Sequence, residues 1–362
     1  MTSDLFAGTY SRGGAADAVC GQAWLNAMLG VEAALARACA GEGLVTDAAA
    51  EAVQRVCAAA MDGGIELEMI AEAGAEHATP VVPLVAELRS RVSPEFAAAV
   101  HLGATSQDII DTAAMLVVRE AVSILSEDAR ATAGACARLA QVHVETPALG
   151  RTLLQPALPT TFGQKASVWA ATVTDALDSL EAVAADAVAV QMGGAVGGRP
   201  PEVGARVAQE LGMAHSSVAW HTNRVRVARI AAGLGVLAGA LGKVARDITL
   251  LAQGEVGEVH EGGPPGRGGS SAMAHKHNPV AAVSVLACSR RVPGLVATML
   301  ANMEQEHERA AGAWQAEWGT LSELLSLTGS AAAWAADLMT NLQVDPERMR
   351  VNLAELAGAE KP

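Results

Sequence analysis

Aromatic residues and prolines are scarce in this chain. Although 51% of its 362 residues are hydrophobic, only 3% are aromatic, so the core must come largely from Ala, Val and Leu. Such a composition favours closely packed helices over a sheet sandwich, which is rich in β-branched and aromatic residues. Only 14 prolines interrupt the chain, which leaves long stretches free to be helical. The sequence therefore predicts an all-α protein.

An excess of basic residues is also missing. The formal net charge is −14, whereas a nucleic-acid or anionic-membrane surface needs a broad basic face. Residues 1–14 contain Asp4 and no sustained apolar run of the kind found in secretory signals. The apolar run Ile230–Gly242 ends after 13 residues, short of the roughly 20 that span a bilayer. We expect no nucleic-acid or membrane partner, and any anionic ligand must be held by a local group of basic residues.

The five cysteines lack metal-binding or disulfide spacing. They are Cys20, Cys39, Cys57, Cys136 and Cys288, an odd number without a C-x-x-C pair. This pattern favours reduced, mostly buried thiols over a disulfide framework or a zinc site. The sequence therefore predicts a cytoplasmic protein.

What the sequence does contain is helical periodicity. Apolar residues recur at three- and four-residue spacing in short segments near the N-terminus, and Thr46 precedes one of them as a helix start. Five long segments follow: 108–144, 161–192, 227–256, 280–303 with a kink at Pro293, and one that ends near 342. This pattern predicts a small helical N-terminal domain (1–105), an elongated central five-helix bundle (106–345) and a short C-terminal remnant (346–362).

A glycine-rich polar stretch, residues 266–279, separates two of the long segments. Glycine allows positive φ and close approach to a ligand, and two hydroxyls, an ammonium, two imidazoles and an amide follow within nine residues. These groups suit an anionic substrate that loses or gains a proton at carbon. The alternative is an ordinary connection in which Asn278 caps the next helix and Pro279 occupies its first turn.

Three further polar breaks contain candidate binding residues. Residues 101–108 open a long helix whose free N–H groups suit a carboxylate, although Ser106 or Asp108 can also be a simple cap. Residues 220–226 contain an imidazole and two guanidiniums that can bind carboxylates. The glycines at 193–198 look like a phosphate-binding loop, but the predicted helix before them does not fit a dinucleotide site.

These motifs together resemble a known family. The loop 269–279 (GSSAMAHKHNP) is similar to the signature G-S-S-x-M-P-x-K-x-N-P of the fumarase/aspartase superfamily. Residues 101–112 (HLGATSQDIIDT), 150–155, 220–222 and 305–318 resemble the bacterial 3-carboxy-cis,cis-muconate cycloisomerases. The resemblance covers nearly the whole chain. It implies an all-α subunit, a homotetramer with active sites assembled from three subunits, and no cofactor or metal.

The reaction implied by this resemblance is reversible addition of a carboxylate oxygen across a double bond. In a small tricarboxylate, 3-carboxymuconate, the C6 carboxylate attacks C3 and a proton is added at C2, giving 4-carboxymuconolactone. Ser270 is then the proton carrier, and Lys276 and Asn278 hold the carboxylate and stabilise its developing charge. The other substrate-binding residues that the resemblance implies are His101, Thr105, Ser106, Gln107, Gln155, His221, Thr222, Arg226 and Arg309.

Three departures from the family pattern bear on the chemistry. Leu153 stands where many relatives have the histidine of T-H-x-Q, which fits lactonisation because an ionised internal nucleophile needs no second base. Ala274 replaces the signature proline and His277 a frequent arginine, and the sequence ends near residue 362, whereas longer relatives carry a further small C-terminal helical domain. Two alternatives stay open: an adenylosuccinate-type or nitrosuccinate-type lyase, and a non-catalytic structural relative.

Overall fold

The computed structural model describes residues 5–270, 272–273 and 276–359, with the side chains of 356–359 left aside. The helices are α1 (Ala7–Tyr10), α2 (Ala15–Ala18), α3 (Gly21–Gly41), α4 (Asp47–Ala59), α5 (Leu67–Ala75), α6 (Val81–Arg91), α7 (Ser106–Val142), α8 (Phe162–Ala187), α9 (Pro201–Leu211), α10 (Val225–Leu251), α11 (Val280–Ala301), α12 (Ala313–Thr340) and α13 (Pro346–Ala359). A π-helical turn (Ala60–Gly64) follows α4, and a 3₁₀ helix (Pro94–Ala99) precedes α7.

The five longest helices, α7, α8, α10, α11 and α12, pack side by side as one bundle. Among these five, helices that follow one another run in opposite directions, and the last one returns to pack against the first. Ala, Val and Leu dominate the shared core, to which Phe162 and Trp169 add aromatic volume. Gly163 lets α8 approach α7 closely, because a Cβ atom there would lie 2.7 Å from the carbonyl oxygen of Ala140. The predictions of an all-α fold and of five long helices are confirmed.

Side chains that cap the helices fix where they begin. Thr46 accepts a hydrogen bond from the N–H of Ala49 at 3.2 Å and starts α4, as the sequence predicts. At α7 the cap is Thr105 and not Ser106 or Asp108. Thr105 and Asp108 form a reciprocal capping box, in which the Asp108 carboxylate accepts the N–H of Thr105 at 3.1 Å.

The N-terminal helices form a second apolar cluster against one end of the bundle. Helices α3 to α6 and α9 bury their apolar faces together with the first turns of α7 and with Trp314 at the start of α12. Residues 101–105 connect this cluster to α7. The predicted boundary near residue 105 thus lies between two packed clusters, and the division into domains remains a prediction.

Short strands, which the sequence reading did not predict, connect the helices. Strands β1 (Pro147–Thr152) and β2 (Gln155–Thr161) form an antiparallel hairpin, and β5 (Val259–Glu261) pairs with β6 (Leu342–Val344). Strands β3 (Ala189–Val190) and β4 (Ala214–His215) are parallel. Helix α8 ends at Ala187, five residues before the predicted 192, because β3 interrupts it. The glycines at 193–198 therefore follow a two-residue strand, but the next helix, α9, begins only at Pro201.

Helices α10 and α11 are long and apolar enough, by length and composition, to cross a membrane. Within this fold α10 packs against α8, α11 and α12, which accounts for its apolar composition. Only 33% of the most apolar part of α11 is buried in the single chain. Val283 and Leu300 on α11, and Val236 on α10, are large apolar side chains left exposed. The bundle thus presents apolar helix faces outward.

The five cysteines are free thiols, and all except Cys20 are buried. Burial raises the pKa of Cys57 and of Cys136 to about 12. These buried thiols are therefore protonated at neutral pH and pack as small apolar side chains. The prediction that the cysteines are mostly buried is confirmed.

Candidate active site

Asp108, in the first turn of α7, joins three loops at one end of the bundle. Its buried carboxylate accepts the backbone N–H groups of Gly193 and Gly194, both at 2.8 Å. The same carboxylate lies 2.8 Å from Nε2 of the buried His221. The glycines at 193–198 thus do bind an anion through their N–H groups, but the anion is a side chain of the protein. His221 is oriented by this carboxylate, and its backbone carbonyl accepts the Gln107 amide at 2.8 Å.

A half-buried cation lies beside this junction. The Arg309 guanidinium donates to the Thr105 hydroxyl at the start of α7 and makes no ion pair within the part of the chain that the structure describes. Burial lowers the pKa of Arg309, against the opposing charges of Asp108 and Asp111. Thr222 donates to the carbonyl of His307 at 3.2 Å. Thr105, Arg309, His221 and Thr222 therefore meet at one end of the bundle, called here the His221 end.

Arg224, which sequence reasoning passed over in favour of Arg226, is the charged centre beneath this group. It is buried and forms ion pairs with Asp111 at 2.8 Å and with Glu317 at 2.5 Å. Burial opposes the charge of Arg224, but the two carboxylates outweigh it and raise its pKa. Arg224 is thus satisfied within the protein and connects α7, α10 and α12.

Gln107 and Arg226, also predicted at this end, have hydrogen-bond partners within the protein. The Gln107 amide donates to Asp111 as well as to His221, and its oxygen has no partner among the described residues. Arg226 donates to the carbonyls of Asp186 and Ala187, where α8 ends, at 3.0 and 3.3 Å. Their roles in substrate binding, and that of Ser106 in the first turn of α7, stay predictions.

Gln155 lies at the opposite end of the bundle, on the β1–β2 hairpin. It follows a two-residue turn, Leu153-Leu154, in which both residues have positive φ (50° and 64°). The two leucines are 96% and 67% exposed. The hairpin is anchored by Arg151, which donates two hydrogen bonds to the buried carboxylate of Glu258. This hairpin therefore presents an apolar tip with Gln155 beside it.

The glycine-rich loop lies at the same end and is closed at its base. Both the backbone N–H and the side-chain amide of Asn278 donate to the carbonyl of Gly268, at 2.8 and 2.9 Å. Gly268 has φ +75°, and a Cβ atom there would lie 2.4 Å from the Asn278 oxygen, so only glycine fits. Arg267 forms an ion pair with Asp337 near the end of α12 at 2.5 Å. The loop is thus fixed at its base to the bundle.

Within the loop, the Ser270 hydroxyl accepts backbone N–H groups from Ala272 and Met273, at 3.3 and 3.2 Å. Lys276 is exposed, and its ammonium has no hydrogen-bond or ion-pair partner in the described ranges. Ser271, Ala274 and His275, which also belong to the signature, lie outside the described residues. The side-chain amide of Asn278 donates to Gly268, so its predicted contact with substrate remains a prediction.

The two groups of predicted site residues lie far apart within one chain. Glu317, which contacts Arg224 at the His221 end, and Asp337, which anchors the glycine-rich loop, both lie on α12. The two positions are 20 residues apart, which corresponds to roughly 30 Å of helix. The predicted site residues therefore form two groups within a chain, and no small carboxylate can contact both of them.

Comparison with known proteins identifies the family. A family model described as "Lyase" matches residues 7–294. The chain belongs to this lyase family. Its signature loop is that of the fumarase/aspartase superfamily, as the resemblance predicted. Within the described residues, no three His, Cys, Asp or Glu side chains are grouped so that they can hold a metal ion.

Named relatives of this lyase chain include two kinds of enzyme. A 3-carboxy-cis,cis-muconate cycloisomerase of Bradyrhizobium diazoefficiens is 43% identical over 92% of this chain and 75% of its own length. A nitrosuccinate lyase of Streptomyces davaonensis is also 43% identical, over 99% of this chain and 78% of its own. The crystal structure of a 3-carboxy-cis,cis-muconate lactonizing enzyme from Pseudomonas putida superposes with a TM-score of 0.93 at 37% identity, covering 98% of this chain and 80% of that one.

Proposed function

We propose that this lyase-family protein is a 3-carboxy-cis,cis-muconate cycloisomerase. Several relatives of that name are 37–43% identical to the chain, and solved structures with that activity in their titles share its fold. The observation that carries the proposal is the combination of the Ser270 loop with a hairpin tip that presents Leu153 and no imidazole. A carboxylate that adds within its own molecule is already ionised at neutral pH and needs no second base.

Ser270 transfers the proton at carbon. In lactonisation the C6 carboxylate oxygen bonds to C3, the double bond shifts its electrons toward the C1 carboxyl, and Ser270 gives its proton to C2. The hydroxyl oxygen becomes an alkoxide, which the N–H groups of Ala272 and Met273 and the charge of Lys276 stabilise. In the reverse direction the same alkoxide removes the proton.

The His221 end binds carboxylates of the substrate. Arg309 is a half-buried cation beside Thr105, and free N–H groups at the start of α7 add a positive helix end. The capping box already uses some of those N–H groups, so Arg309 and the hydroxyl of Thr105 supply most of the donors. This arrangement provides the local basic group that a chain of net charge −14 needs for an anionic substrate.

Complete sites form between subunits. Members of this family act on small carboxylates and are typically oligomeric. Because roughly 30 Å of helix separates Ser270 from the His221 end in one chain, a working site requires the loop of one subunit beside the His221 end of another. The exposed apolar faces of α10 and α11 suit such an assembly. We propose a homotetramer of this kind in the cytoplasm, without a cofactor.

Nitrosuccinate-type elimination is the second candidate function. It is favoured by the 43% identity to a nitrosuccinate lyase over 99% of the chain. Elimination and lactonisation share proton transfer next to a carboxylate, so the same loop serves both reactions. The two reactions differ in the group that leaves or attacks, so an assay of both substrates distinguishes them.

The test is a comparison of substrates with purified protein. The diene absorbance of 3-carboxy-cis,cis-muconate should fall on mixing, with and without a chelator, and the lactone should be the product. Nitrosuccinate, adenylosuccinate and fumarate serve as alternatives under identical conditions. Efficient turnover of nitrosuccinate together with no turnover of the diene would replace the first proposal with the second. Loss of activity with chelator would contradict the metal-free reaction.

A further inference from the structure

His101 and Glu32 form a carboxylate–imidazole pair near the start of α7. Nδ1 of His101 lies 2.6 Å from Oε1 of Glu32, which projects from α3. Glu32 is only 1% exposed, and its second oxygen, Oε2, has no hydrogen-bond partner among the described residues. His101 has φ +61°, in the left-handed region that non-glycine residues rarely adopt.

Both features cost stability. A buried carboxylate oxygen without a donor is unfavourable, and so is a left-handed histidine. Asp108 provides the contrast, since its two oxygens are shared among backbone N–H groups and His221. A carboxylate that served only to join parts of the fold would be satisfied in the same way. Unsatisfied and strained groups persist where a function requires them.

The surroundings leave His101 as the hydrogen-bond partner of Glu32. Arg199, which reaches the neighbouring Leu102, donates to the Leu102 carbonyl at 2.8 Å and to the Cys39 sulfur at 3.4 Å. In the described part of the chain, no Lys or Arg side chain lies within ion-pair distance of Glu32, whose side-chain partner is His101. No guanidinium among the described residues therefore offsets the charge of the Glu32 carboxylate.

The same contacts orient the imidazole. An ionised carboxylate can only accept, so Nδ1 of His101 carries the hydrogen and Nε2 is the remaining ring nitrogen. Nε2 makes no hydrogen bond to any described residue, and the His101 side chain is partly exposed. The turn from His101 to Ala104 leads directly to Thr105, which contacts Arg309. The free nitrogen thus belongs to the segment that lines the proposed carboxylate site.

We propose that Glu32 is a positioning residue that fixes the tautomer and orientation of His101, so that Nε2 meets the bound substrate. Glu32 acts only through His101 and has no contact with substrate. The inference rests on the proposed function, because it takes the His221 end as the carboxylate-binding part of the site. It identifies a residue in the N-terminal helices as a determinant of catalysis.

A double-mutant cycle tests this inference. Glu32→Gln keeps the shape of the side chain, but an amide can donate as well as accept and so no longer fixes the tautomer of His101. The change should lower kcat/KM for the diene by at least about tenfold, the scale of losing an orienting partner. His101→Ala should lower it as much or more, and adding Glu32→Gln to His101→Ala should change nothing further. Binding of tricarballylate, a tricarboxylate that does not react, is measured by calorimetry in the same four proteins. The affinity for tricarballylate should fall in each single variant and should fall no further in the double variant.

Thermal stability separates positioning from structure. Glu32→Gln should leave Tm unchanged or raise it, because the unpaired oxygen becomes part of a neutral amide. Glu258→Gln is the matched control for a buried carboxylate, and it should lower Tm because Arg151 loses its anionic partner.

Three results would overturn the inference: an additive cycle, a Glu32→Gln protein that fails to assemble, or one that loses Tm as Glu258→Gln does. If the diene is not turned over by the unaltered protein, the proposed function fails, and the tricarballylate cycle still decides the role of Glu32.

Discussion

At the scale of single residues, Ser270 needs help to act as a base. A serine hydroxyl ionises at neutral pH only when its alkoxide is stabilised, and two backbone N–H groups point at this oxygen. Those donors lie in the glycine-rich loop, whereas Arg309 and the other groups at the His221 end lie at the other end of the bundle. The chemical step and the binding of carboxylates thus depend on different residues.

Ser270→Ala should therefore affect turnover more than binding. We expect kcat to fall at least about 10²-fold, as for loss of a positioned acid or base, with a much smaller change in KM. Ser271→Ala serves as the control and should be milder. Steady-state kinetics on the diene measures both. If the two variants behave alike, or if Ser270→Ala keeps most of its kcat, the proton carrier must be sought among His101, His221 and His275.

At the scale of elements, the glycine-rich loop depends on its anchor to α12. Asp337 accepts hydrogen bonds from Arg267 within the loop, and Arg12 also forms an ion pair with it at 2.7 Å. The Arg267 hydrogen bond lowers the pKa of Asp337 below its ordinary value of 3.8, although burial works in the opposite direction. The anchor therefore stabilises the folded protein while Asp337 is ionised.

This anchor predicts a specific dependence on pH. Because the folded pKa is depressed, the contribution of Asp337 is fully present above 3.8 and is lost as pH falls through the folded value. The Asp337→Asn variant should therefore unfold a few degrees below the unaltered protein at neutral pH. The difference in Tm should shrink as pH approaches and passes below 3.8. A gap in Tm that stays constant with pH would contradict this role of the carboxylate.

The elements also show how far sequence reasoning reaches. The long helices were predictable to within a few residues because their apolar spacing repeats over many turns. The β1–β2 hairpin was missed because its turn is Leu153-Leu154, without the glycine or asparagine that positive φ normally requires. The end of α8 was placed too late because Val188 to Met192 continue the apolar pattern, while the strand β3 depends on pairing with a distant segment.

The motifs of the candidate site could be predicted from the sequence, but their positions relative to one another could not. The signature loop and the segment 101–108 stand out by composition, and the structure adds that they lie at opposite ends of one chain. Arg224 was passed over because its burial depends on α7 and α12 converging on it. A local signal did exist in Glu317, an acidic residue among the apolar positions of α12 between two tryptophans. Glu32 gave no such signal, because a single glutamate on a helix is usually exposed.

At the scale of the whole molecule, the bundle works as a rod that separates two half-sites. Helix α7 alone has 37 residues, or roughly 55 Å of length. Antiparallel rods that bury their exposed apolar faces would bring unlike ends together and create complete sites. Activity would then require association, and a dissociated subunit would bind carboxylates without turning them over.

Mixing two inactive variants tests this central claim most directly. Ser270→Ala inactivates one end of each rod and His221→Ala inactivates the other, so each variant alone should be nearly inactive. When the two are dissociated, mixed and reassembled, some sites should draw an intact Ser270 and an intact His221 from different subunits, and diene turnover should return. The assembly state is followed by light scattering in the same samples. Recovered activity in mixed oligomers is the result we predict, whereas full assembly with no recovery, or an active monomer, would contradict the shared site.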